Sequence, residues 1–550
     1  MKRREVIKAG AFSLLALWSG KVIGQPTLGG LEMNLLKKGP LHFEPTWDSL
    51  AQYQFPDWFR NAKFGIWAHW GPQCQPEHGD WYARSMYIEG SRDYNFHLKE
   101  YGHPSKFGFK DVIRDWKADK WNPEYLVALY KQAGARYFMA MANHHDNFDN
   151  FNSRYQPWNS LTMGPHKDLI AGWEAAARSN GLRFGVSVHA SHAWSFYEKA
   201  QKADTAGDFK GVPYDGNIRK SQGFGQWWHG YNPQDLYAQN HPVSPGSDDQ
   251  AFFFKQWDWS HGATIPDKRY CEKFFKRTIS LIDDYKPDMV YFDDTVLPLY
   301  PISDVGLRIA AHMYNANIKR NKGSLEAVIT GKILNERQRA CLVWDIERGH
   351  SNRIEPLPWQ TCTCIGDWHY DRAIYDEKRY KKPKEVVNSL VDIVSKNGNL
   401  LLNIPVRGDG TIDEQELKIV REIGKWMKIN GEGIYDTRPW KVFGEGPAIA
   451  RARSLSNQGF NEGGAGYTAQ DIRFTTKGKY LYATCLGIPT KAINIQSLGL
   501  KTERQGIKSI SLLGSQQKVN WKRYSESLWI EEVSTYPSEH SATFKIEMKG

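Results

Sequence analysis

Short apolar runs in this sequence repeatedly end on residues able to do acid–base or ligand chemistry. His69-Trp70-Gly71-Pro72 follows the run 63–68, and Asn143-His144-His145-Asp146 follows 135–141. His189 follows 183–188, Asp293-Asp294 follows 288–292, and Asp345-Ile346-Glu347-Arg348-Gly349 follows 342–344. Three chemistries use such a set. A metal hydrolase takes two or three histidines and carboxylates as ligands. Neighbouring residues of an extended strand point to opposite faces, however, so His144 and His145 share an ion only where the backbone turns. Phosphoryl transfer calls for a Gly-rich anion loop, which the sequence lacks. Cleavage of a glycosidic bond needs two carboxylates, surrounded by hydroxyl-binding histidines and aromatic side chains, and no metal. The inventory fits this third chemistry best.

These residues need elements to hold them. The runs above read as strands, with 327–330 as a further one. Amphipathic spacing predicts helices over 123–133, 169–179, 273–285 and 414–430. Alternating strands and helices imply a parallel sheet. Over roughly 400 residues a closed (β/α)8-like TIM barrel is expected, with active groups at the C-terminal ends of its strands. An open doubly wound sheet is the alternative, but no Gly-rich turn follows the first strand. After Gly433-Ile434-Tyr435 the character changes to short alternating runs, such as 480–484 and 509–513, which predict a C-terminal all-β sandwich over 434–550. Residues 25–433 form the catalytic barrel domain in this reading.

Residues 1–24 read as an address. Arg3-Arg4 and the apolar stretch 9–17 resemble a signal peptide of the twin-arginine type, so a periplasmic or secreted location is expected. No cysteine ends that stretch, so no lipid or other membrane anchor is expected, and no later segment is long and apolar enough to span a bilayer.

Composition narrows the partners. The chain of 550 residues carries 22 tryptophans, and aromatic faces stack on sugar rings. Its formal charge is +11, but the basic residues are scattered, so nucleic acid is not an expected partner and an anionic glycan suits the charge better. Six cysteines make no disulfide framework, and Cys362-x-Cys364 lacks zinc-ligand spacing. No metal and no cofactor are expected.

Several motifs resemble the α-L-fucosidases of glycoside hydrolase family 29. They are Trp58-Phe59-Arg60-Asn61-Ala62-Lys63-Phe64-Gly65-Ile66-Trp67-Ala68-His69-Trp70-Gly71, then Gly79-Asp80-Trp81-Tyr82, and Gly134-Ala135-Arg136-Tyr137 followed by Asn143-His144-His145-Asp146-Asn147-Phe148. Gly181 to Val186, Tyr285-Lys286-Pro287-Asp288 through Asp293, and Val394 to Ile404 continue the series in order. The resemblance implies a retaining exo-fucosidase acting on a fucose-containing oligosaccharide or polysaccharide. It makes Asp293 the nucleophile and Glu347 the acid/base, with Glu355 as the alternative. It places His69, His144 and His145 on the sugar hydroxyls and Trp81 and Tyr82 along the pocket, with Trp368 a candidate platform for the C5 methyl. Asp80, His189, Tyr291 and Lys332 complete the candidate substrate-binding set. Asp294, facing the other way, is expected to be solvated or capping.

The sequence departs from the family pattern at Asp80 (usually Glu), at His189 and its surroundings, at Lys332 (commonly Arg), and in a long insertion over roughly 192–262. These departures leave open an α-L-galactosidase or a glycosidase acting on sulfated fucans, with a non-catalytic glycan-binding protein as the reading of another class.

Overall fold

The computed structural model describes residues 42–238, 241–247, 257, 259, 264–455, 459–463 and 466–549. The export signal read over 1–24 lies outside the described residues. Eight parallel strands close into a barrel: β1 Phe64–Ala68, β2 Tyr137–Asn143, β3 Arg183–Val188, β4 Met289–Thr295, β5 Val328–Lys332, β6 Val343–Glu347, β7 Trp359–Cys364 and β8 Gly398–Asn403. β8 pairs with β1 through Phe64 and Leu400, which shuts the ring. β7 carries Gln360, Thr361 and Thr363 and lacks a β-branched apolar run, so little announces it as a strand. Every position of β1, β2, β5, β7 and β8 is buried, as a parallel sheet covered on both faces requires.

Local signals account for the helices around the barrel. Asn122 caps Pro123–Gln132, Asp168 caps Leu169–Ser179, and Asp413 caps Glu414–Asn430, each accepting a backbone N–H of the first turn. The third expected helix begins five residues before its apolar periodicity, at Lys268, because Asp267 caps it there. β6 passes to β7 through 348–358 with no helix.

Strand alternation fills the barrel interior with Trp67, Tyr137, Met139, Met289, Tyr291, Val328, Val343, Cys362 and Leu401. Gly65 is demanded by this packing, since a Cβ there would lie 2.3 Å from the Tyr137 ring. All six cysteines are buried and free. No helix among the described residues is long and apolar enough to cross a membrane.

The C-terminal region folds as two antiparallel sheets. One has the order β13-β16-β11-β10-β9, from Ile507–Leu512, Ala542–Met548, Tyr480–Cys485, Ile472–Lys477 and Arg438–Glu445; the other is β12-β15-β14, from Ile493–Ile495, Leu528–Ile530 and Trp521–Arg523. It is welded to the barrel by charge as well as packing. Asp392, on the barrel helix Pro383–Ser395, accepts from Arg473 Nε at 2.6 Å and Lys396 Nζ at 2.6 Å, with His350 Nδ1 at 3.2 Å. Arg473 and Lys396 are both buried. Asp392→Ala strands these cations, and a loss of about 3–5 kcal/mol is expected. Denaturant unfolding measures it; a loss under about 1 kcal/mol would show that the cluster does not hold the two parts together.

Candidate active site

The alternation that fills the barrel also builds the site. Counting by twos up each strand, Trp67 leads to His69, Ser187 to His189, Tyr291 to Asp293, Thr330 to Lys332 and Asp345 to Glu347. These side chains therefore converge above the core at the C-terminal ends of the strands.

At their centre, Lys332 Nζ bonds an oxygen of Asp293 and, at 2.6 Å, Oε2 of Glu347. One nitrogen holding both carboxylates keeps the facing oxygens within about 5.5 Å of each other. Each acid keeps 18% of its side chain exposed, whereas Lys332 keeps 10% and His145 only 1%, so the carboxylates are what the opening reaches. Burial would raise the Asp293 carboxyl, but the Lys332 ammonium, and after it the His145 and His189 rings beside it, hold it well below the usual carboxylate range. Burial would lower Lys332; the two carboxylates hold it well above the ordinary lysine value. Trp368 donates its indole N–H to Glu347 Oε1 at 3.2 Å. Its ring sits 5.6 Å from His69 and 5.4 Å from Trp67.

The histidines form a buried shell beside the acids. His189 Nδ1 is 3.3 Å from Asp293 Oδ2, and its Nε2 is 3.1 Å from Ser187 Oγ. Burial brings His189 down to about 4, so near pH 7 it is neutral, donating to Asp293 and accepting from Ser187. His145 donates Nδ1–H to the carbonyl of His189 at 2.8 Å and places Nε2 3.3 Å from Asp293 Oδ2. β2 ends at Asn143 and the chain turns, so the adjacent rings of His144 and His145 both face the site, 4.4 Å apart. His144 Nδ1 lies 2.8 Å from Gln73 Nε2, and both ring nitrogens of His69 are buried without a hydrogen-bond partner among the described residues. Burial first, then the neighbouring rings, hold His69 and His144 well below the ordinary histidine value. Asp80 Oδ1 is 2.7 Å from His369 Nδ1.

Four expected placements need correction. Glu355 lies at the opposite end of the barrel: it precedes β7, bonds Ser351 at 2.6 Å and Arg339 at 3.4 Å, and its N–H donates to Lys396 just before β8. Tyr82 does not line the pocket. Trp81 adopts a left-handed backbone (φ 65°), a short helix starts after it, and the Tyr82 hydroxyl turns to His97 Nδ1 at 2.6 Å. Trp81 itself stays at the site, its ring 6.3 Å from His145. Tyr291 is a buried floor beneath Lys332 rather than a wall, its hydroxyl 3.4 Å from Cys362 Sγ. Asp294 is neither solvated nor capping: it is buried, accepts from Ser191 Oγ at 2.7 Å and lies 2.8 Å from His192 Nε2.

The structure adds residues that spacing did not single out. His369 stands beside Trp368 in the sequence, and Gln73 follows Trp70-Gly71-Pro72. A segment far along the chain reaches the end of β6: Phe460 donates its N–H to the Glu347 carbonyl at 2.8 Å, and Glu462 to that of Arg348 at 2.9 Å. Arg348 pairs with Glu462 at 3.6 Å. Among the described residues two sets could gather an ion, His69 with Asp80, His144 and His369, and His144 with His145 and His189. In the second, His189 has both nitrogens engaged by Asp293 and Ser187.

The sequence profile described as Alpha-L-fucosidase matches residues 33–432, and that described as Alpha-L-fucosidase C-terminal domain matches 466–547. Tissue alpha-L-fucosidase of Rattus norvegicus is 26% identical over 534 residues, 92% of this chain and 93% of its own. Plasma alpha-L-fucosidase of Homo sapiens is 27% identical over 497 residues, 87% of this chain and 86% of its own. The Thermotoga maritima alpha-fucosidase in complex with fucose shares the fold with a TM-score of 0.65 at 23% identity, covering 92% of this chain and 100% of that one. So does a GH29 alpha-L-fucosidase of Bacteroides thetaiotaomicron trapped as a covalent intermediate, with a TM-score of 0.57 at 15% identity, over 91% of this chain and 96% of that one. With the first profile spanning the whole barrel and every strand end that builds the cluster, the chain belongs to the α-L-fucosidase family of glycoside hydrolases.

Proposed function

We propose that this protein releases terminal α-L-fucose from glycans by double displacement with retention of configuration. The observation that carries the reading is the Lys332 bridge. It keeps the facing oxygens of Asp293 and Glu347 close together, which supports the roughly 5–5.5 Å spacing of a retaining pair over the roughly 6.5–9.5 Å of an inverting one.

In the first step an Asp293 oxygen attacks the anomeric carbon. The glycosidic C–O bond breaks, and Glu347 passes its proton to the departing oxygen, giving a fucosyl ester and a free alcohol. In the second step Glu347, now a carboxylate, takes a proton from water. The water oxygen bonds to the anomeric carbon, and the ester bond to Asp293 breaks. Asp293 suits the first role because Lys332, His145 and His189 stabilise its ionised form. Trp368 and Lys332 hold the two oxygens of Glu347 from either side. The trapped covalent intermediate of the Bacteroides thetaiotaomicron protein supports the same chemistry on this fold. The basic, apolar start of the chain supports export, which we propose as the route to an extracytoplasmic glycan.

Three measurements test this. Asp293→Asn is expected to lower kcat at least about 10³-fold without changing the melting temperature, while NMR of the wild-type reaction shows the α-anomer of fucose forming first. Near-normal turnover, or β-fucose first, ends the assignment. Glu347→Ala is expected to slow fucosides with alcohol leaving groups at least about 10²-fold more than nitrophenyl ones, because only the former need the proton; equal slowing removes Glu347 from the role. Lys332→Met removes the charge that depresses Asp293, so its carboxyl rises toward the ordinary range. The acidic limb of kcat/KM is then expected to move to higher pH. A limb that stays in place contradicts the bridge.

A further inference from the structure

One buried polar group beside the acids has no part in the steps above. His369 is buried, its Nδ1 is held by Asp80 Oδ1 at 2.7 Å, and its Nε2 has no hydrogen-bond partner among the described residues. Its ring stands 4.7 Å from that of His69 and 4.8 Å from that of His144, crossing them at 79° and 87°. One side-chain donor or acceptor atom from each of His69, Asp80, His144 and His369 can be chosen so that all lie within 4.8 Å of one another. A single hydroxyl oxygen bonding two of them spans such a gap.

Partners set the polarity of this group. The Asp80 carboxylate accepts only, so His369 keeps a proton on Nδ1, and the tautomer this selects presents Nε2 as an acceptor. On the other side, the Gln73 oxygen takes the Ala83 N–H at 3.3 Å, and its amide nitrogen lies 3.2 Å from Asp146 Oδ2. The same nitrogen therefore donates to His144 Nδ1 at 2.8 Å. Neutral His144 is left with its proton on Nε2, as a donor. An acceptor on one ring and a donor on the other, with the rings 4.8 Å apart, match a sugar hydroxyl, which offers one hydrogen and accepts another. The arrangement also makes sense of Asp80 itself: a shorter acid than the glutamate usual in the family motif, it reaches the pocket through an imidazole.

We propose that Asp80 and His369 form a hydroxyl-reading pair in the sugar pocket. His369 Nε2 accepts the hydrogen of one sugar hydroxyl, whose oxygen accepts from His144 Nε2–H. Asp80 is the positioning residue that fixes the His369 tautomer. A hydroxyl that is sulfated or acylated has no hydrogen to give and leaves His369 unpaired, so the pair selects the free hydroxyl at that position. The proposal rests on the fucosidase reading for which sugar enters.

The test is calorimetric binding of L-fucose and its 2-, 3- and 4-deoxy analogues to the full chain and to His369→Ala and His369→Gln. Binding does not depend on turnover. One deoxy sugar is expected to bind the wild type about 10–100-fold more weakly than L-fucose, and that penalty is expected to shrink at least about fivefold in His369→Ala. Should His369→Ala melt early, His369→Gln, which keeps the volume and a polar end, carries the comparison. Binding of L-fucose with the same hydroxyl penalties in wild type and variants overturns the pair alone, and zinc binding that disappears with His369 would then mark the four side chains as an ion site. No affinity of the folded wild type for L-fucose overturns both the pair and the fucosidase reading.

Discussion

A buried ammonium between two carboxylates is the interaction on which the rest of the site depends. Lys332, Asp293 and Glu347 stand at or near the C-terminal ends of three consecutive strands, β5, β4 and β6. Any one of these charges alone at this depth would be costly, and the two acids without the lysine would repel. Together they leave a single excess negative charge, which the proton on a catalytic acid cancels. The balance also shifts usefully during the proposed reaction. Once Asp293 is esterified it carries no charge, and Lys332 has only Glu347 to pair with. When the ester is cleaved, Asp293 shares the ammonium with Glu347 again.

His69, His144 and His189 complement this triad by staying neutral. Burial lowers His69, His144 and His189, so they contribute directed donors and acceptors without adding charge that would compete with Lys332. His189 is oriented by the Ser187 hydroxyl two residues earlier on its own strand, so its Nδ1–H points at Asp293 with no rearrangement. Indole and imidazole rings pack edge to face around them, as His69 does on Trp67 at 4.8 Å, and fix ring planes that hydrogen bonds alone leave loose.

How much of this was legible in the sequence follows from distance along the chain. His69, His189, Asp293 and Glu347 are visible as polar residues at strand ends because strand alternation is local, while the family resemblance singles out Lys332 and pairs Asp293 with Glu347. Helix starts were readable for the same reason, Asp168 and Asp413 being next to the turns they cap. Where the chain leaves regular structure, parity fails. His144 and His145 both face inward because β2 has already ended, and Tyr82 turns away because Trp81 takes a left-handed conformation. Glu355 is close to Glu347 in sequence but a barrel's length away, because the chain between β6 and β7 runs from one end of the barrel to the other. The Asp80–His369 contact joins residues 289 positions apart, and no local pattern carries such a pairing.

The two adjacent aspartates of β4 show how one strand end serves both chemistry and architecture. Asp293 points into the site, and Asp294, on the opposite face, binds Ser191 and His192 at the root of the long insertion. The His192 ring stacks on Trp257 at 4.3 Å, and Trp257 stacks on Trp81 at 6.1 Å beside His145. A chain of contacts thus runs from the residue next to the nucleophile, through the insertion, back to the aromatic wall of the pocket. Glu347 is tied in the same way from the other side, through the backbone of Phe460. The strand ends that carry Asp293 and Glu347 are therefore braced by segments outside the barrel ring. The barrel supplies the direction of each side chain, and the insertion and the segment at 459–462 close the site around them.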